Sequence, residues 1–260
     1  MKIKEEASYS KDWIQVYINN GSLIQASLLN NYGFQHGFFT KESKDCTPNS
    51  LSKFINKSSS VHFIKQVHGN KVISASETSK SNIVFADSII SDSQNQALWV
   101  STADCIPLLF ADIKTGHVAA THAGWKGLSK NIIKNTVLKL ESVGCTPERL
   151  LAALGPAISG INYQVDLKVI RLIIESFKKI NKGYTIDIGK MHSLGIIKPD
   201  VLTNKFFLDI RLLAKHQLLL SGLIENHISL NKNCTFSEPN LFNSWRRDNL
   251  RSNQWSSISS

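Results

Sequence analysis

The sequence predicts an α/β (α+β) fold: a single domain over residues 1–260, with a mixed sheet flanked by helices. Three observations lead there. Short apolar runs of strand length dominate the first half of the chain. After Gly124 the apolar period lengthens to that of amphipathic helices. The length of 260 residues, 42% hydrophobic and 19% charged, is enough for one substantial core without staples. Residues 1–30 and 252–260 are expected to be peripheral, and the polar tail after Arg251 to fray.

Strands are expected at residues 22–29, 37–40, 61–67, 72–74, 88–90 and 98–101, where apolar and β-branched side chains are bounded by polar or turn-forming ones. Residues 106–112 and 117–122 flank Lys114-Thr115-Gly116 and read as a hairpin. Leu128, Ile132, Ile133, Val137 and Leu140 then mark one face of a helix that stops at Gly144. Residues 150–154 return to strand and end at Gly155-Pro156, a tight turn. Asp166 is an N-cap for a helix reaching about Ile180, with Val169, Ile170, Ile173 and Phe177 on its apolar face. Asp209 caps another over residues 210–220, before Gly222. Residues 41–60, rich in Lys, Ser and Asn, and residues 181–199, with three glycines and Pro199, read as loops. No Gly-x-Gly-x-x-Gly follows a strand, and no Gly-x-x-x-x-Gly-Lys-Ser/Thr occurs. Dinucleotide and P-loop functions are therefore not supported.

Thirty basic against 20 acidic residues give a net charge of +10. The excess is spread along the chain, and its densest spots, Lys178–Lys179 and Arg246–Arg247, are only pairs. That is a solvated basic surface, with neither nucleic acid nor membrane expected as a partner. No run approaches the ~18–20 apolar residues of a transmembrane helix. The first ten residues lack the apolar segment of a secretory signal, so the expected compartment is the cytoplasm. Cys46, Cys105, Cys145 and Cys234 form no Cys-x-x-Cys pair and are expected to be reduced there.

Three segments carry the candidate chemistry. His68 lies in Gln66-Val67-His68-Gly69-Asn70, Cys105 in Thr102-Ala103-Asp104-Cys105-Ile106-Pro107, and His122 in Thr121-His122-Ala123-Gly124-Trp125-Lys126. Each sits where a strand-like run meets a small or turn-forming segment, a common place for a site. Two imidazoles and a thiolate are good zinc ligands, and three protein ligands leave a position open for chemistry. Copper(I) accepts the same donors. A Cys105 thiolate activated by His122 is a metal-free alternative, and buried core residues are a third.

The motifs resemble a known family. QVHGNKV (66–72), STADCIPLLFAD (101–112), THAGWKGL (121–128), LGPAIS (154–159) and SWRRD (244–248) are similar to those of the laccase-domain proteins. That family was first described as multicopper polyphenol oxidases. It is now read as zinc-containing purine nucleoside phosphorylases with adenosine deaminase activity, and its bacterial members have also been called peptidoglycan editing factors. The likeness runs from about residue 35 to 248. It implies a metal site at His68, Cys105 and His122, and a fold similar to the toxin and chemotaxis deamidases. The implied activity is phosphorolysis of inosine, adenosine, guanosine and methylthioadenosine, with adenosine deamination, so purine nucleosides and phosphate are the expected partners. A copper polyphenol oxidase, a hydrolase editing peptidoglycan precursors and a metal-binding protein without phosphorylase activity are the alternatives. The copper reading is weakened because the chain has no His-x-His pair.

Catalytic roles are expected for Cys105, His122 and Asp104, the last orienting a ligand or moving a proton. Lys41, Lys126 and Arg246 are expected to meet phosphate. Trp125 is expected in the core, and Arg247 in a structural ion pair. Two departures from the family pattern stand out. Thr40-Lys41-Glu42-Ser43 replaces Thr-Arg-x-Gly-Gly, exchanging a bidentate fork for a point charge. Asn249-Leu250-Arg251-Ser252-Asn253 lacks the Gly-Arg pair that in the family usually follows Arg-Arg-Asp-Gly-x-Thr.

Overall fold

Alternation along three central strands places the core. The computed structural model describes residues 4–10, 12–19, 21–43, 45–78, 84–180 and 183–260. It begins with a meander, β1 (Lys4–Ser10), β2 (Trp13–Ile18) and β3 (Gly21–Ala26), then the short helix α1 (Ser27–Asn31), β4 (His36–Phe39) and helix α2 (Pro48–Leu51). There follow β5 (Ser60–Phe63), β6 (Val72–Ser74), β7 (Ser88–Ile90), β8 (Gln96–Thr102), β9 (Ile106–Asp112) and β10 (Val118–Ala123). Next come α3 (Trp125–Leu128), α4 (Ile132–Glu141), β11 (Leu150–Leu154), β12 (Gln164–Asp166), α5 (Leu167–Ile180) and α6 (Ile188–Ser193). The chain ends with β13 (Ile197–Pro199), β14 (Lys205–Leu208), α7 (Ile210–Leu220), β15 (Ile228–Leu230), α8 (Trp245–Asp248) and β16 (Gln254–Ser259).

The strands form three sheets where one was expected: a seven-stranded sheet β1-β2-β3-β4-β16-β8-β5, a six-stranded sheet β15-β11-β9-β10-β7-β6, and the small sheet β12-β14-β13. The two large ones are mixed, with parallel pairs at β5–β8, β6–β7 and β11–β15. In β9, Leu108 and Phe110 face one core and Leu109 and Ala111 the other. β11 repeats this, with Leu150, Ala152 and Leu154 against Leu151 and Ala153. Both faces being covered explains why these strands read as continuous apolar runs. One core lies under the helices, where Ile133 and Val137 of α4 join Ile170 and Ile173 of α5 and Leu213 of α7. The other lies between the two large sheets, where Ile24, Phe38, Leu98 and Val100 meet the second face of β9 and β11. Mixed α/β architecture in a single domain is what the sequence predicts.

Several local expectations are corrected. Residues 252–260 are not peripheral: β16 lies between β4 and β8, hydrogen-bonded on both sides and almost wholly buried. Its serines hide it in the sequence, because paired backbone rather than apolar side chains holds it there. Residues 1–30 also contribute core, with Trp13, Leu23, Ile24, Ala26 and Leu29 buried. The expected loop at 41–60 contains α2, started by Pro48 and a reciprocal Thr47–Ser50 cap. Its residue Lys44 lies outside the described set, as do Asn181 and Lys182 of the loop expected at 181–199. From Ile188 that second segment forms α6, capped by Asp187, and β13. The helix expected from Leu128 is broken into α3 and α4 at Asn131, which is left-handed at φ 65° and donates its side-chain amide to Ser176 O. Asp209 caps α7 as expected, accepting from the backbone N–H of Arg211 and Leu212. The four cysteines are free thiols.

Candidate metal centre

The register of the six-stranded sheet assembles the site. β9 and β10 pair with Ala123 opposite Ile106 and His122 opposite Pro107, so His122 and Cys105 lie at the same end. Cys105 ends the link by which the chain crosses from the seven-stranded to the six-stranded sheet. Asp104 turns that link in a left-handed conformation, φ 86°. His68 arrives from the loop between β5 and β6. Gln66 fixes one end of that loop: its side chain donates to Ser101 O at 2.7 Å and accepts from Ser101 N–H at 2.8 Å. Asn70 fixes the other, donating to Lys130 O at 2.8 Å. His68 itself is left-handed at φ 57°.

One ligand atom from each of His68, Cys105 and His122 lies within 4.8 Å of the other two, the single cluster of this kind among the described residues. His122 is buried, Cys105 half-buried and His68 exposed. The two imidazole rings stand edge to face, their centroids 4.7 Å apart. Gly124 closes the cluster: a Cβ there would lie 2.6 Å from Cys105 Sγ, so no other residue fits without displacing the thiol.

Asp87 completes the arrangement. The pairing of β7 with β10 sets Ser88 opposite Thr121, so Asp87 falls beside His122. Its Oδ1 accepts from His122 Nδ1 at 2.8 Å and from His68 N–H at 2.9 Å. Its Oδ2 accepts from Gly69 N–H at 2.6 Å and Val67 N–H at 3.3 Å. Burial pushes this carboxyl up, but those donors outweigh it and hold it below the ordinary range. Burial likewise pushes the Cys105 thiol up, and the imidazoles of His122 and His68 outweigh it and hold the thiol below its ordinary range. For His122, burial pulls down, while Cys105 and Asp87 raise it above the ordinary imidazole value. Without a cation the site thus favours a thiolate beside the protonated ring of His122. A bound metal would replace the proton on the ring nitrogen facing it, leaving the thiolate and imidazole donors that zinc and copper(I) prefer.

Asp104 is buried, with Oδ1 accepting from Thr235 Oγ1 at 2.6 Å and Oδ2 from Arg246 N–H at 2.7 Å. That second bond draws α8 onto the site. Arg246 spreads its guanidinium over the Tyr163 ring, 4.8 Å from the centroid, and donates to Gln164 O at 3.1 Å. Lys126 follows the ligand strand on α3 and lies exposed, 5.8 Å from the half-buried Trp125 ring, which packs on the helical core. Lys41 donates its ammonium to Pro239 O and its backbone N–H to Leu241 O, both on the segment leading to α8. Arg247 finds its carboxylate in Asp248, with two bonds of 2.8 and 2.7 Å, and it also donates to Thr235 O and Phe236 O.

Sequence reading missed Asp87 and Tyr163. No motif marks either one, since Asp87 acquires its role only from strand register. A half-open cleft of about 450 Å³, lined by residues including Ser159, Ile161, Lys198 and Phe207, contains none of the three ligands.

Residues 41–259 match the family model described as multi-copper polyphenol oxidoreductase laccase. The chain belongs to that family. Its laccase-like relatives include a protein named purine nucleoside phosphorylase from Synechocystis sp., 34% identical over 256 residues, covering 95% of this chain and 96% of that protein. Another of that name, from Haemophilus influenzae, is 30% identical over 188 residues, covering 72% of this chain and 69% of its own. Purine nucleoside phosphorylase YlmD of Bacillus subtilis is 28% identical over 259 residues, covering 92% and 88%. Among solved structures, the Bacillus licheniformis hypothetical protein YfiH superposes with a TM-score of 0.74 at 20% identity, over 98% of this chain and 99% of that one. YlmD from Geobacillus stearothermophilus gives 0.73 at 21% identity, over 99% and 98%. These two likenesses show that the chain shares the fold of those two proteins.

Proposed function

We propose that this chain is a zinc-dependent purine nucleoside phosphorylase that also deaminates adenosine. The observation that carries the reading is the convergence of His68, Cys105 and His122 within ligand distance of one ion. The names of the relatives support nucleosides and phosphate as substrates.

The donor set fits a metal: one thiolate, two imidazoles, and Asp87 occupying His122 Nδ1 so that Nε2 is the atom left to ligate. When bound, zinc supplies Lewis acidity to the substrate entering beside it. Two imidazoles and one thiolate do not make the several-copper arrangement of a phenol oxidase, which supports zinc over that alternative.

In phosphorolysis a phosphate oxygen bonds to the anomeric carbon of the ribose. The glycosidic bond breaks, and its electron pair leaves with the purine, which takes up a proton. The sugar carries positive charge at the transition state, so holding phosphate in line is the main task of the protein. Arg246 suits this, because Asp104 holds its backbone and the Tyr163 face and Gln164 O hold its guanidinium. Lys126 adds an exposed charge on the helix after the ligand strand. In deamination water adds to the purine carbon and ammonia departs. Asp104 acts here as a positioning residue, since both its oxygens are engaged. No helix among the described residues is long and apolar enough to cross a membrane, and we place the reaction in the cytoplasm.

The test is turnover of inosine and adenosine by the purified full chain, with and without phosphate. Phosphate-dependent release of hypoxanthine from inosine is expected. Deamination alone would remove the phosphorylase half of the reading, and no turnover of either nucleoside would remove both.

A further inference from the structure

We infer that Asp87 is the positioning residue for both histidine ligands, fixing His122 through its side chain and His68 through its backbone. The inference rests on the metal centre proposed above and adds a residue to it.

A carboxylate only accepts hydrogen bonds. Asp87 is fully buried, and its two oxygens accept four. Its main chain adds two ties, accepting from His122 N–H at 2.8 Å and donating to Lys71 O at 3.0 Å. Because Oδ1 can only accept, the facing Nδ1 of His122 must carry a proton. A neutral imidazole has one such proton, so its lone pair lies on Nε2, and the ring can ligate only through that atom. The other three donors are consecutive backbone N–H groups of Val67, His68 and Gly69. They bend the chain around one carboxylate and leave His68 in its left-handed conformation. A structural carboxylate serving this loop alone would account for those three bonds, but not for the fourth, to the ligand on β10.

The isosteric change Asp87→Asn separates the roles. An amide has one accepting and one donating end. If the NH2 group faces His122, it meets Nδ1–H and His68 N–H, both donors. Relief at His122 then requires its proton to move to Nε2, which blocks the ligating atom. If the NH2 group faces the other way, it opposes Gly69 N–H and Val67 N–H and pushes the His68 loop off. Either orientation disables one ligand while leaving packing volume unchanged.

The experiment uses the full chain with Zn2+ alone. Affinity is read by competition with a chromophoric chelator for the wild type and for Asp87→Asn, alongside circular dichroism to confirm folding. A loss of about 10–100-fold in Zn2+ affinity is expected in the folded variant. On the zinc-loaded wild type, nitrogen NMR is expected to find His122 bound through Nε2 with a proton on Nδ1, a reading that stands even if the variant fails to fold. Unchanged Zn2+ affinity in Asp87→Asn, or ligation of His122 through Nδ1, overturns the role of Asp87 alone. A wild type that takes up no Zn2+ overturns the metal centre itself, and the inference falls with it.

Discussion

Arg246 reaches the site because its backbone is tied there, not because its side chain is long. The bond from Arg246 N–H to Asp104 links it to the residue preceding Cys105. Arg246→Ala is therefore expected to raise the KM for phosphate about tenfold, with a smaller change in kcat. Steady-state rates at varied phosphate check this, and an unchanged KM would remove the arginine from phosphate handling. A second residue acts on stability. Burial drives the His36 imidazole down to about 4, partly opposed by its bond to Phe34 O, while its Nε2 accepts from Ala26 N–H at 2.8 Å. The folded protein keeps this ring neutral where the unfolded chain would protonate it. Its contribution is complete above the unfolded value near 6.5 and is lost as pH falls toward 4, up to about 3 kcal/mol. Urea unfolding of the wild type should weaken across that window, and His36→Gln should flatten the slope. Equal slopes would contradict the assignment. Legibility at this scale was uneven: His68, Cys105 and His122 stand in motifs whose chemistry reads directly. Asp87 sits in Ala86-Asp87-Ser88, and nothing there announces a role that comes from the pairing of β7 with β10.

At the scale of elements, strands buried on both faces were the most legible. The runs expected at residues 88–90, 106–112 and 150–154 are the observed β7, β9 and β11. The helix cap at Asp209 was equally plain, whereas the carboxylate of Asp166, expected to cap α5, accepts from the Lys205 ammonium. The split between α3 and α4 was not, because it depends on Asn131 reaching across to α5. Gly155 shows a different kind of miss. The sequence reads it as a turn, but its need for glycine comes from packing. A Cβ there would lie 2.2 Å from Phe38 Cδ1 and 2.9 Å from Pro107 Cγ. Those contacts join β4 of one sheet to β9 of the other. Gly155→Ala is expected to cost about 1–3 kcal/mol by overpacking, measured by urea unfolding. An unchanged midpoint would mean the two sheets separate more easily than their shared core implies.

For the whole molecule, the last strand is central to the seven-stranded sheet. β16 fills the gap between β4 and β8, so without it the sheet would split and expose two rows of unpaired backbone groups. Removal of residues 254–260 should abolish cooperative unfolding, seen as a lost thermal transition in circular dichroism. A truncated chain that still melts cooperatively would show the other strands can close the sheet. The same two-sheet frame supports the site, since Cys105 lies on the crossing between sheets and His122 on the neighbouring strand. The account therefore stands or falls on whether those three side chains hold one ion. Elemental analysis of the purified full chain beside Cys105→Ala measures it. The account predicts about one zinc per chain, and none in the variant. A wild type without metal, or a variant that keeps its full complement, would contradict it.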